Sequence, residues 1–344
     1  MARPSSGSWP AALAGRRLPV RRRCAMERSN TAVAVPQVAH SHLAHLEPDE
    51  RIRGTYRIHS MQMRRRSDGA NFWEVTLADR TGILVTYAWP EQLEIAYPWP
   101  RHTRVQVECL TRRFGQKQVA DLRSLDPLPE MEPRQGLDLL PRPLCPRPEV
   151  LDRFVSLVQG LKNPALRGFV DHVLARDETT LNLLVVPASQ VYHHAYFGGL
   201  LEHSVEVAEI ALRLPYPDDT QREIALVASL FHDIGKTRTF DRSLRRTPAG
   251  NLVCHDHLTL EICAPGLSWL DMVWPEGGLL LRHVWTAGHS RHGPLPQSAL
   301  LHAVRLADRL SAEQAKDQAA FARSSPGQSW GRIGRETRWR ASAF

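Results

Sequence analysis

Phe231-His232-Asp233-Ile234-Gly235-Lys236 follows an apolar run, residues 224–230, that reads as a buried helix. A histidine and an aspartate side by side at the end of such a helix cannot both enter a core cheaply. A buried carboxylate needs a compensating cation. Upstream, His203 ends Gly198-Gly199-Leu200-Leu201-Glu202-His203, and far downstream Ala307-Asp308 interrupts another largely apolar segment, residues 301–310. Neutral imidazoles plus charged oxygens are the donor set of a divalent cation. His203, His232, Asp233 and Asp308 would come from three helices facing one bundle interior, a common way to build a metal centre.

The stretch between the dyad and Asp308 is rich in further histidines. His289, within Ala287-Gly288-His289-Ser290-Arg291-His292-Gly293, is the first candidate for a second ion. His257 is preferred to His255 as its companion, because it opens the apolar run 258–262. Two ions would clamp the attacking and leaving oxygens of a phosphodiester. Carboxylate and imidazole donors without thiolate favour Mn, with Fe or Mg as alternatives, over structural zinc. One or two ions per chain are therefore expected.

Working outward, helical periodicity dominates from residue 149 onward. Phe154, Leu157, Val158 and Leu161 share one face, and Leu166, Phe169, Val170 and Val173 another. Further helices are expected near 197–213, 219–234, 257–264, 276–288 and 297–315. Before this half, residues 128–148 are so rich in proline that they read as a stiff linker. Residues 48–127 change to short alternating runs around 55–59, 71–79, 82–89, 104–110 and 118–122, separated by turn signals such as Ser67-Asp68-Gly69. About five short strands in so few residues predict a small antiparallel barrel. Residues 1–47 and 318–344, biased to Ser, Arg and either Pro or Gly, are expected to be disordered tails.

Composition narrows the classes. A chain of 344 residues has room for about two domains. Its net charge of +8 suits a polyanionic partner, although much of that charge sits in Arg3, Arg16, Arg17, Arg21, Arg22 and Arg23 and in Arg323, Arg332, Arg335, Arg338 and Arg340. Without a continuous apolar span, no membrane segment is expected. Five scattered cysteines without a CxxC pair exclude a disulfide scaffold and suit the reducing cytoplasm. The Arg-rich first 25 residues lack a secretory apolar region; a transit peptide or a true start at Met26 would each account for them.

The order His…His-Asp…Asp resembles the HD superfamily of metal-dependent phosphohydrolases. A longer match is more specific. Pro187-Ala188-Ser189-Gln190-Val191-Tyr192-His193-His194-Ala195-Tyr196-Phe197 followed by Gly198 to Ser204 resembles the corresponding stretch of YhaM-type 3′–5′ exoribonucleases. Asn71-Phe72-Trp73-Glu74-Val75-Thr76-Leu77-Ala78-Asp79-Arg80-Thr81-Gly82 looks like the OB-fold signature of that family, and an OB-fold preceding an HD domain is its order. The resemblance spans about residues 50 to 315. It implies an OB-fold at 48–127 and an all-α HD domain at 149–317. It also implies His203, His232, Asp233 and Asp308 as ligands, His257 and His289 completing the site, and Asp233 and Lys236 as catalytic residues, Lys236 meeting substrate phosphate. Two features depart from the family: the order His289-Ser290-Arg291-His292-Gly293, and the basic insert with Arg238, Arg242, Arg245 and Arg246. Pro187-Ala188-Ser189 and His203-Ser204-Val205-Glu206-Val207-Ala208 equally resemble HD-type relaxases of conjugative elements.

On the barrel, Phe72, Trp73, Tyr87 and Trp89 offer bases a stacking surface, and Arg64, Arg65, Arg66, Arg112, Arg113 and Lys117 offer phosphates a counter-charge. Alternation sends Phe72 and Trp73 to opposite faces, so one of them belongs to the core. The expected partner is single-stranded RNA or DNA, and an oligomer is compatible with the sequence. Two rivals are a strand-binding protein with a vestigial metal site and a phosphohydrolase of free nucleotides. The complete ligand set disfavours the first, and the barrel disfavours the second.

Overall fold

The computed structural model describes residues 40–128, 135–191, 194–287, 296–322, 325 and 327–341. Five strands form a closed barrel: β1 (Arg51–Arg65), β2 (Asn71–Ala78), β3 (Ile83–Ala88), β4 (Arg104–Phe114) and β5 (Lys117–Pro127). Their order is β1-β2-β3-β5-β4, with β4 pairing back onto β1. This is the small barrel expected from the sequence, with one amendment: it is not wholly antiparallel, because β3 and β5 run parallel. Closure depends on β1. Its first half pairs with β4 and its second with β2, and the register shifts between Ile58 and Ser60, where a bulge bends the strand. Inward positions supply Ile52, Tyr56, Ile58, Trp73, Val75, Leu77, Leu84, Val105, Val107 and Leu122 to the barrel core.

The barrel extends further toward the N-terminus than the boundary at 47 suggests. Leu43 and Leu46 are buried in its core. Asp79 holds this segment, accepting from Leu43 N at 2.9 Å and His40 Nε2 at 3.1 Å, and from its own turn at Thr81 N, Thr81 Oγ1 and Gly82 N.

The proline-rich stretch is a packed connection rather than a free linker over its described part. Leu139 and Leu140 are fully buried. Arg142 N donates to Asp79 O, and Arg80 N to Asp138 O. The buried Arg57 joins barrel to helices: it donates to Leu139 O at 2.7 Å, His102 O at 3.0 Å and Asp177 Oδ1 at 2.7 Å. Arg104 reaches the other oxygen of Asp177 at 2.9 Å.

The helices are α1 (Pro148–Gln159), α2 (Pro164–Leu174), α3 (Asp177–Leu183), α4 (Gly199–Leu212), α5 (Asp219–Phe231), α6 (Lys236–Thr239), α7 (Pro248–Leu252), α8 (His255–Val273), α9 (Pro275–Thr286) and α10 (Ala299–Phe321). Proline in the first turn of α1, α2, α7 and α9 fits a position whose N–H has no helical partner. Asn163, Asp218 and Ser298 cap α2, α5 and α10. Phe154, Phe169 and Phe231 meet edge-on in the core. α8 runs well past residue 264 because Pro265 is accommodated inside it. The expected C-terminal disorder gives way at β6 (Trp330–Ile333) and β7 (Glu336–Trp339), an antiparallel hairpin. No helix among the described residues is long and apolar enough to cross a membrane.

Candidate metal centre and nucleic-acid interface

Two glycine contacts shape the centre. A Cβ on Gly199 would lie 2.0 Å from His194 O, so only glycine lets the 194–198 turn fold against the start of α4. A Cβ on Gly235 would lie 1.9 Å from His255 O. The turn after the His-Asp dyad therefore presses onto the first turn of α8, where Gly235 N donates to Thr259 Oγ1 and Thr259 Oγ1 donates to His232 O.

Around these contacts four side chains converge. His203 Nε2 lies 3.4 Å from Asp233 Oδ2 and 3.2 Å from Asp308 Oδ1. His232 Nε2 lies 3.4 Å from Asp233 Oδ2 and 3.6 Å from Asp308 Oδ1. His203 is fully buried and Asp233 almost so. Hydrogen bonds on the far side of each ring fix its tautomer. His232 Nδ1 faces Ser229 O at 2.7 Å, a carbonyl that can only accept. His203 Nδ1 meets Ser311 Oγ at 3.2 Å, and that hydroxyl donates to Glu206 Oε2. With Nδ1 so occupied, loss of the Nε2 proton leaves each Nε2 lone pair aimed at the two carboxylates, the arrangement outer-shell partners give to metal-binding histidines. His232 Nε2 is buried without a hydrogen-bond partner.

The electrostatics ask for a cation. Burial penalises the His232 imidazolium, yet Asp233 and Asp308 outweigh it and push its pKa up to about 9. Burial also opposes the Asp233 carboxylate, but Lys236, His232 and hydrogen bonds from His203 and His255 hold its pKa well below the usual range. Asp308 is likewise held low against its burial by His203 and His232. The donor set, its tautomers and its charge all fit a divalent ion.

The other oxygen of Asp233 looks elsewhere. His255 Nε2 lies 3.1 Å from Asp233 Oδ1 and 3.2 Å from Asp256 Oδ1. His257, preferred from the sequence, is exposed. His255, two residues earlier, sits instead at the turn Gly235 allows. His289 and His292 lie outside the described residues. Lys236 Nζ donates to Asp233 Oδ2. The arginines of the basic insert are engaged locally: Arg238 with Glu261, Arg242 with Asn182, Arg245 with Asp241 and Arg246 with Gly250 O.

A supporting network was not foreseen. Glu206 accepts from His194 Nε2 at 3.0 Å, and His194 Nδ1 meets Tyr196 OH at 2.9 Å. Tyr196 donates to Glu202, which also pairs with Arg147. The available signal was the spacing of Glu202 and Glu206, one helical turn apart beside His203.

On the barrel, Phe72, Tyr87 and Trp89 form one outward cluster, with ring centroids 4.8 to 5.9 Å apart. Arg66 lies over Trp89, and Arg112 over Tyr87 and the exposed Phe114. Asp121 fixes two of these groups, accepting from Trp89 Nε1 and Arg112 Nε at 2.8 Å each. Trp73 is corrected out of this surface: it is buried, and its indole donates to Ile95 O. Arg65, Arg113 and Lys117 are exposed, Arg65 beside the β1–β2 turn and Arg113 and Lys117 at the β4–β5 hairpin. Phe114 escaped the sequence reading because it ends a strand beside a turn.

Comparison with known proteins agrees with this geometry. The HD domain family model matches residues 200–313. The TraI_2 family model, whose description is of a helicase, matches residues 144–217. The 3′–5′ exoribonuclease YhaM of Bacillus subtilis (strain 168) is 23% identical over 273 residues, covering 76% of this chain and 85% of its own. That of Bacillus pumilus is 23% identical over 278 residues, covering 78% and 86%. That of Halalkalibacterium halodurans is 24% identical over 275 residues, covering 76% and 83%. No solved structure matches at a comparable level of significance. Residues 200–313 match the HD domain family model, and the chain is similar to YhaM 3′–5′ exoribonucleases over about three quarters of its length.

Proposed function

We propose that this protein is a metal-dependent phosphodiesterase that degrades single-stranded nucleic acid, as a 3′–5′ exoribonuclease. The observation that carries the reading is the convergence of His203, His232, Asp233 and Asp308, with both imidazoles oriented from behind. These four residues would hold one divalent ion, with Mn the first choice on donor chemistry. His255 and Asp256, on the far oxygen of Asp233, offer donors for a second. When bound, the metal supplies an acidified water and charge neutralisation at phosphorus.

The chain's own residues do the rest. Asp233 offers one oxygen to each side of the centre. Lys236, beside the Asp233 carboxylate, would meet a substrate phosphate oxygen. Phe72, Tyr87 and Trp89 stack bases while Arg65, Arg66, Arg113 and Lys117 follow the backbone. Arg57, Arg104 and Asp177 fix the barrel against the helices, so a strand lying on it keeps one orientation to the centre.

A second reading, single-site processing of DNA, draws on the resemblance of residues 187–189 and 203–208 to HD-type relaxases, in the region that the TraI_2 model matches. Purified protein with Mn, on 5′-labelled single-stranded RNA and DNA, separates the two. A descending ladder on RNA supports exoribonuclease action. A single DNA cut with RNA untouched supports the second, and no cleavage of either strand rejects both.

A further inference from the structure

The C-terminal hairpin lies beyond the HD match and carries a face that the proposed chemistry does not use. Its register pairs Trp330 with Trp339, Gly331 with Arg338, Arg332 with Thr337 and Ile333 with Glu336. Alternation divides these pairs between two faces. Gly331, Ile333, Glu336 and Arg338 belong to the face that docks on α10. A Cβ on Gly331 would lie 2.7 Å from Ala320 O, so the strand is in close contact with the helix. Arg338 donates to Glu313 at 2.5 Å and Asp317 at 3.3 Å, and Lys316 reaches across to Glu336. Arg340 lies 4.2 Å over the Phe321 ring.

The opposite face presents Trp330, Arg332, Thr337 and Trp339. Both indoles are about three-fifths exposed, at 61% and 62%, although burial of large apolar rings is favourable. Directly paired strand residues have Cβ atoms about 5 Å apart, so the two indoles leave the hairpin side by side on one face. Among the described residues Arg332 makes no ion pair, and no carboxylate belongs to this face. The helix beneath is the one that carries Asp308. The hairpin's anchors, Glu313 to Ala320, lie about 8 to 18 Å along α10 from that ligand.

We propose that Trp330, Trp339 and Arg332 form a second strand-binding platform, which stacks bases of single-stranded nucleic acid. This rests on the nuclease reading above. Two flat rings beside an unopposed guanidinium suit stacking bases and their phosphates, and they ask for no sequence. The positive charge of the chain complements a polyanion and disfavours an acidic-face-free apolar partner such as a second copy.

The test uses the full chain, in EDTA to stop turnover, and a 5′-fluorescein-labelled 20-nucleotide oligouridylate read by anisotropy. The Trp330→Ala/Trp339→Ala variant should bind at least tenfold more weakly with an unchanged circular dichroism spectrum. Trp330→Phe/Trp339→Phe should recover most of the affinity. Arg332→Ala should lower the salt dependence of binding by about one phosphate contact. Wild-type affinity in the double alanine variant would overturn the proposal while leaving the nuclease reading in place. So would loss of a dimer in sedimentation with strand affinity unchanged, which would make the face a protein interface. A wild-type chain that neither binds nor cleaves any strand would remove the nuclease reading and the platform together.

Discussion

Asp79 in the barrel and Asp233 in the helical domain are both buried aspartates beside two histidines, yet they are solved differently. Asp79 accepts from Leu43 N, Thr81 N, Thr81 Oγ1, Gly82 N and His40, which leaves its charge satisfied by the protein. Its second histidine, His42, accepts from Arg80 at Nε2, so Nδ1 carries the proton and offers Asp79 no lone pair. Asp233 is faced by His203 and His232, whose Nε2 atoms point inward and offer lone pairs once deprotonated, and by Lys236 and His255. Triads of similar composition and spacing thus separate by tautomer. One holds the segment around Leu43 on the barrel, and the other is a candidate set of metal donors.

The largest expected effects set these two aspartates against each other. Asp233→Ala should reduce cleavage of single-stranded RNA by at least a thousandfold in a discontinuous assay, with thermal stability close to wild type. Asp79→Ala should do the reverse, costing about 3–5 kcal/mol in urea unfolding because several buried N–H groups lose their acceptor. If both variants lose stability and neither loses activity selectively, the contrast fails.

Protons sharpen the same contrast. In metal-free protein His232 is raised to about 9 by Asp233 and Asp308 after burial's opposing effect. Its contribution to stability is present below its unfolded value near 6.5 and is lost as pH rises through about 9. Metal must displace that proton. Binding below pH 9 should therefore release a proton, and affinity should rise with pH, as calorimetry in two buffers of different ionisation heat would show. Asp79 has the opposite sign. Hydrogen bonds from His40, Thr81 and Leu43 overcome burial and hold its pKa low. Its contribution is present above the unfolded carboxylate value and lost as pH falls through the folded one.

A smaller effect tests the orienting shell. Ser311→Ala removes the acceptor behind His203 and should weaken Mn binding about tenfold, measured by competition with a chelating dye. On the barrel, Phe72→Ala should weaken oligouridylate binding by about 1–3 kcal/mol in anisotropy titrations. Unchanged affinity there would remove the outward aromatic cluster from the strand's path.

Much of this arrangement was legible from residue order. The HD stretch marks a candidate ligand pair because His and Asp at the end of an apolar helix have few other uses. The barrel was legible because its strands alternate and its turns carry Gly69 and Gly115, both at positive φ. Two kinds of feature were hidden. That His255 and not His257 faces Asp233 depends on how closely Gly235 lets α8 approach, which is a tertiary distance and not a pattern. The hairpin at Trp330–Trp339 was hidden because its strands are four residues each and lean on α10 through Arg338 and Gly331 rather than through an apolar stripe. Likewise the prolines of 128–148 mark a break in regular structure, while Leu139 and Leu140 decide that the segment is packed.

The most direct measurement of the central claim is the metal content of wild-type, Asp233→Ala and Asp79→Asn protein after equilibration with Mn and gel filtration. Wild type should retain one or two ions per chain, Asp79→Asn the same number, and Asp233→Ala none. Full metal content in Asp233→Ala, or loss of metal confined to Asp79→Asn, would contradict the assignment of the centre.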